Sequence, residues 1–272
     1  MYTIRGYEKV KSLEEAYEAN QKKSSSIIGG GMWLRLGSKN IGTAIDLTDL
    51  GLDKIEETED SFIIGCMTSL RDIECHAGMN RYFHGMMKET MKGIVGTQFR
   101  NTATIGGSIY QRFGFSDPLT AFLALDTTVE MYAGGMIPLD DFVSMDYDRD
   151  ILVRIHVKKD GRKAAYQSFR NTKTDFPVVT VGVSKSEAGW KVTVGARPGR
   201  AEVFKPVHPL SDEPEDEEIK QFAKEISEAA VFGSNMRASG EYRKLLTEVL
   251  VGRAVEDICL QLKQDTQEGL SR

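Results

Sequence analysis

The sequence predicts an α+β protein in two domains, on three observations. Over the first half, short β-like runs alternate with amphipathic helical stretches. From about residue 150 the order changes to four strand-like runs followed by two long amphipathic helices. The 272 residues, 28% charged and 40% hydrophobic, are enough to bury a sizeable core. The boundary is therefore expected near residue 150, with one domain over 1–150 and a second over 151–272.

The elements follow in order. A strand opens the chain. Ser12 then precedes Leu13-Glu14-Glu15-Ala16, with Glu15 three residues on, which is the pattern of a capping box. Ser26-Ile27-Ile28 is β-like and ends in Gly29-Gly30-Gly31. Runs 43–47 and 62–65 are further strands, and Thr68 opens a helix extending through Arg81 to Lys92. The stretch 93–108 holds four glycines among Thr and Ser and predicts a turn system rather than a core element. Asp117-Pro118 starts an apolar helix, and 127–132 is a strand. Residues 140–150 are polar and acidic. Run 151–157 alternates as a strand, and 166–169, 178–183 and 190–194 predict three more strands of one antiparallel sheet. Helices are expected over 215–232 and 241–262. The cluster Asp212, Glu213, Glu215, Asp216, Glu217 and Glu218 reads first as charge favouring a helix N-terminus.

Composition narrows the function. Lys and Arg number 35 against 40 Asp and Glu, a net charge of −5, which argues against nucleic-acid or anionic-membrane partners. No apolar run approaches the roughly 18 residues of a membrane span, and the first residues lack the apolar core of a signal peptide. Three cysteines are too few and too odd for a disulfide framework, so a cytoplasmic protein is expected. No CxxC is present to hold an iron–sulfur cluster. Cys66, Cys75, His76 and His84 could supply four zinc ligands, but their spacing fits no zinc pattern, and no metal site is expected.

Two glycine clusters each follow a β-like segment. Glycine lets backbone approach a ligand closely, and successive amides in tight turns form an anion-binding nest. Leu34 breaks a GxGxxG begun at Gly29, and there is neither a P-loop nor a GxSxG elbow. A triple glycine alone is as well explained by a strand-ending turn. Two such clusters point to a dinucleotide held between two loops.

A resemblance joins these features. Ser12-Leu13-Glu14-Glu15-Ala16, the loop Gly29-Gly30-Gly31-Met32-Trp33-Leu34 and the strand Ile45-Asp46-Leu47 resemble the opening of FAD-binding medium subunits of molybdenum hydroxylases. These are the flavoproteins of the xanthine dehydrogenase and carbon monoxide dehydrogenase type. The more specific match is Arg100-Asn101-Thr102-Ala103-Thr104-Ile105-Gly106-Gly107-Ser108, followed by Ser116-Asp117-Pro118-Leu119. Residues 236–243 and 249–254 resemble the family's C-terminal signature.

The resemblance implies a two-lobed FAD-binding domain of the vanillyl-alcohol-oxidase (PCMH) type, with lobes of about 1–55 and 56–150, then a C-terminal α+β domain. It implies that Ile28, Gly29, Gly30, Gly31, Met32 and Trp33, with Thr104, Ile105, Gly106, Gly107 and Ser108, wrap the FAD diphosphate. Asp117 matches a FAD-contacting position, and Ile94 and Leu152 fall near positions packing at the flavin ring or belong to ordinary core. Met32 stands where relatives have a hydroxyl residue. Trp33 replaces an acid or amide and either covers the nucleotide or packs between the lobes. No catalytic acid or base is implied. In relatives a molybdopterin-binding large subunit and a [2Fe–2S] small subunit are the partners. Electrons pass from the clusters through FAD to NAD or another acceptor. Two rivals stay open: a stand-alone flavin reductase of this fold, and a non-catalytic assembly protein that has lost FAD.

Overall fold

Strand and helix order in the computed structural model follows the hydrophobic pattern closely. Residues 2–211 and 213–270 are described, with side chains to residue 265, so Asp212 of the acidic cluster lies outside them. The strands are β1 (Thr3–Lys9), β2 (Ser25–Ile28), β3 (Asn40–Asp46), β4 (Ile55–Glu57), β5 (Ser61–Gly65), β6 (Thr127–Met131), β7 (Gly135–Pro138), β8 (Leu152–Lys158), β9 (Lys163–Phe169), β10 (Val179–Ser186), β11 (Gly189–Gly195) and β12 (Glu202–Phe204). The helices are α1 (Leu13–Asn20), α2 (Leu70–Cys75), α3 (Ala77–Tyr82), α4 (Met86–Lys92), α5 (Thr97–Arg100), α6 (Ile105–Tyr110), α7 (Asp117–Ala124), α8 (Leu139–Ser144), α9 (Asp216–Ala229) and α10 (Gly240–Leu270). Among the described residues no helix is long and apolar enough to cross a membrane.

The chain divides into two compact units, and each is interrupted in sequence. The first comprises 1–73, 96–111 and 127–158; the second comprises 74–95, 112–126 and 159–272. This differs from a single division near 150. Strand β8, expected to open the second domain's sheet, pairs instead with β5 and β6. Its inward face, Val153, Ile155 and Val157, is buried there.

In the first unit, β1 and β2 flank β3 in a three-stranded parallel sheet. Ser12 caps α1 as expected, its Oγ accepting from the Glu15 amide at 3.1 Å. The reciprocal bond differs from an ideal capping box: the Glu15 carboxylate accepts from the Lys11 amide. A second sheet, antiparallel, has the order β4-β5-β8-β6-β7. Helix α8 overlaps the start of the acidic stretch 140–150, for which the sequence predicts no element.

In the second unit, β12-β11-β10-β9 form an antiparallel sheet. Strand alternation decides its two faces. Val179, Val181 and Val183 join Val192 and Val194 in a core with Phe222, Ile226, Val251 and Val255 of α9 and α10. Thr180 instead bonds Thr120 of α7 at 2.9 Å. Every residue of α7 is buried, its apolar residues in the core and its polar Asp117 and Thr120 paired with Arg170 and Thr180. Glu215 and Glu218 form a capping box at α9, so the described part of the acidic cluster does cap a helix.

Candidate functional site

A cleft of about 670 Å³ opens within the first unit. That volume is within the usual range for a small-molecule site. Of the residues expected at a cofactor, Gly29, Thr104, Gly106, Gly107 and Leu152 line it. Ile28 ends β2 beside them, and Ile105 and Ser108 are buried in α6 behind them. Gly30, Gly31, Met32 and Trp33 continue the loop that leaves Gly29.

The two glycine loops touch, and this is why glycine stands there. A Cβ on Gly30 would collide with the Thr102 carbonyl, and one on Gly29 with the Thr104 hydroxyl. Gly31 has φ +66°, a left-handed conformation in open space. Trp33 packs on Phe99 in a tilted arrangement with ring centroids 4.9 Å apart, which favours packing between segments 29–34 and 97–100.

The loops differ in what their amides can do. Among the described residues, none accepts from the amides of Gly30, Gly31 or Met32. At the second cluster the amides of residues 105–108 are committed. Ile105 donates to Thr68 O at 2.9 Å, Gly106 to Cys66 O at 2.8 Å and Ser108 to Thr104 O at 3.2 Å. Gly107 donates to Thr104 Oγ1 at 3.3 Å. The stretch read as a turn system thus contains two short helices, α5 and α6, with Thr104 as N-cap of the second. Gly107 lies in α6 at an ordinary helical φ, not in a left-handed turn. What the second cluster offers is the Thr104 hydroxyl. Its oxygen accepts from Gly107 while its proton stays available.

Several walls of the cleft carry no local sequence signal. Arg149 donates through Nη1 to Asn20 O at 2.6 Å and through Nη2 to Lys23 O at 2.8 Å, closing the C-terminal end of α1 across a separation of more than 120 residues. The Asp150 carboxylate accepts from the amides of Ala133, Gly134 and Ile151, so its charge is spent within the fold. Lys23 and Lys39 line the cleft and supply positive charge for an anion.

Ile94 and Asp117 belong to the second unit, where Arg170 joins them. Its guanidinium pairs with Asp117 and packs on Gly93, the residue before Ile94. Tyr166 donates to the same Asp117 oxygen at 2.5 Å.

Residues 2–157 match the family model described as the FAD binding domain in molybdopterin dehydrogenase. The chain belongs to this family. Its fold is shared with chains of several solved enzymes. One is quinoline 2-oxidoreductase from Pseudomonas putida 86, at 17% identity and TM-score 0.81, covering 94% of this chain and 97% of that one. Another is a carbon monoxide dehydrogenase from Hydrogenophaga pseudoflava that lacks the Mo-pyranopterin moiety of its molybdenum cofactor. It is 18% identical at TM-score 0.82, covering 94% and 97%. A third, reconstituted CO dehydrogenase from Oligotropha carboxidovorans, is 17% identical at TM-score 0.82, covering 95% and 98%. No curated protein sequence matches the chain. The expected family and fold class are thereby established: a mixed α/β chain carrying the FAD-binding domain.

The residues fit the cofactor this family binds. The Thr104 hydroxyl and two lysines line the first unit's cleft, where a diphosphate needs donors and positive charge, and the loop that leaves its wall at Gly29 carries three amides without acceptors among the described residues.

Proposed function

We propose that the chain is the FAD-carrying electron-transfer subunit of a multi-subunit molybdenum hydroxylase, xanthine dehydrogenase-like in organisation. It would work with a molybdopterin-binding large subunit and a [2Fe–2S] small subunit, in the cytoplasm, taking electrons from the clusters and delivering them to NAD or another acceptor. The observation that carries this reading is the family match over 2–157, joined to the glycine-loop cleft inside that span.

FAD, when bound, supplies the redox chemistry. The protein's own work is to bind and orient. The amides of Gly30, Gly31 and Met32 and the Thr104 hydroxyl would hold the diphosphate. Each such charge-assisted bond is worth about 1.5–3 kcal/mol, so these few suffice without the second cluster's amides. Met32 costs little in this arrangement because its contribution is its amide. Lys23 and Lys39 would offset the diphosphate charge, and Leu152 gives the cleft an apolar wall. The resemblance assigns Ile94 and Asp117 to the flavin as well; within the second unit the Asp117 carboxylate is held by Arg170 and Tyr166.

The test is purification of the complex from its native source under mild conditions, with mass spectrometry of every chain and assay of flavin, molybdenum and iron. The expected result is co-purification with a molybdopterin-binding chain and an iron–sulfur chain. A flavoprotein that elutes alone and reduces a small-molecule substrate by itself would support the stand-alone reductase instead.

A further inference from the structure

The second unit contains a cavity of about 370 Å³ that the flavin reading does not use. Its walls include Phe115, Phe176, Asn235, Arg200, Arg237 and Arg243, and among the described residues no carboxylate lines it.

Arg243 is 1% exposed. Its Nη1 donates to the carbonyls of Val178 and Ala196, and its Nη2 donates to Asn235 Oδ1 at 2.6 Å. All three acceptors are neutral, and its buried Nε has no hydrogen-bond partner among the described residues. A buried charge without a counter-charge is costly, and here a second cation stands close. Burial, and then the charge of Arg237, push the Arg243 pKa below its usual value. Arg237 is little better matched. Its guanidinium lies 4.8 Å over the Phe176 ring, and its nearest carboxylate oxygen, on Asp175, is 3.6 Å away, beyond hydrogen-bond length. Its Nε too is buried and has no hydrogen-bond partner among the described residues.

The walls are fixed independently of any ligand. The Ala196 amide donates to Gly114 O at 2.7 Å, and the Gly233 amide to Arg197 O at 2.6 Å. Phe115 and Phe176 meet edge to face at 4.5 Å. The cavity is thus preformed, cationic and partly aromatic.

We propose that this cavity binds a small aromatic carboxylate, its oxyanion taken by the arginines and its ring packed against Phe115 and Phe176. An arginine fork matches a carboxylate in geometry and charge, and aromatic edges suit a flat apolar body. The proposal does not rest on the flavin reading.

The experiment is calorimetric titration and thermal melting of the full-length protein at low salt. The probes are benzoate, inorganic phosphate and benzylamine, with flavin content recorded for every sample. Benzoate is expected to bind with one-to-one stoichiometry and raise the melting temperature, and benzylamine to do neither. Arg237→Gln, at a partly exposed position, is expected to weaken benzoate binding at least about tenfold, and Arg200→Gln serves as a second variant should the first fail to fold. No benzoate binding at millimolar concentration, phosphate binding with benzoate inert, or benzoate binding unchanged in the folded variants would each overturn the proposal.

Discussion

Asp117 and Arg170 form a buried ion pair, with side chains 6% and 8% exposed, and Tyr166 adds a hydrogen bond to the same carboxylate oxygen. The sequence marked Asp117 as a cofactor contact. The structure shows that its carboxylate is first of all the partner of a guanidinium that packs on Gly93. Removing one member of a buried pair leaves an uncompensated charge, at a cost of about 3–5 kcal/mol. Asp117→Asn and Arg170→Met should each destabilise by that order in urea unfolding. The double variant Asp117→Asn/Arg170→Met should cost clearly less than the sum.

The two glycines of the first loop should separate under substitution. Gly30→Ala places a methyl group against the Thr102 carbonyl, so the loops must part. FAD affinity of the folded fraction should fall at least about tenfold, together with the melting temperature. Gly31→Ala meets open space and suffers only the left-handed penalty of about 1–2 kcal/mol. A Gly30→Ala protein that melts and binds as the parent does would show that the contact between the loops is not needed.

Thiol reactivity should rank the cysteines by environment. Cys66 is buried, and burial pushes its pKa up to about 12. Cys259 is partly buried and also raised by burial, while Cys75 is exposed. Reactivity follows the thiolate and its accessibility. A thiol reagent at mildly alkaline pH should label Cys75 first and Cys259 more slowly, and reach Cys66 only on unfolding. Peptide mapping of the labelled protein gives the order.

Acid should weaken the fold through particular carboxylates. Burial alone would raise Asp160, but hydrogen bonds from Arg162 at 2.6 and 2.9 Å outweigh it and hold its pKa below 3.8. Glu130 is likewise held below 4.5 by His156 and Arg154, against the effect of burial. A carboxylate depressed in the folded state adds stability above its unfolded pKa and loses it as pH falls through the folded value. Stability should therefore decline below about pH 4. Asp160→Asn should flatten part of that slope while lowering stability at neutral pH, as read from urea midpoints across pH.

Much of this was legible in the sequence because the relevant physics is local. Ser12 and the Asp117-Pro118 start announced helices through a cap and apolar spacing, whereas the helix expected from Thr68 begins at Leu70, with Ser69 Oγ accepting from the Asp72 amide. The glycine runs announced close backbone approach, and Gly29 and Gly30 do meet Thr104 and Thr102. What was hidden depends on distant partners. Nothing in 151–157 says that β8 pairs with β5 and β6 rather than with the strands that follow it. Helix 68–92 was read as one element, yet it breaks into α2, α3 and α4, with His76 capping α3 and left-handed residues at His84 and Gly85. Arg149 looked like one charge in a polar stretch until it reached the carbonyls of Asn20 and Lys23. The commitment of the amides 105–108 was invisible for the same reason, since their acceptors include the distant Cys66 and Thr68.

Flavin uptake tests the central claim most directly. Full-length protein, stripped and then titrated with FAD or FMN, should take up one FAD per chain, recovered intact by heat release and chromatography, and bind FMN far more weakly. Thr104→Val, which removes the hydroxyl donor, should weaken FAD binding about tenfold with the fold retained. Saturating FAD with no uptake by folded protein, or uptake of FMN as tight as that of FAD, would contradict the assignment of this chain as a flavin-carrying subunit.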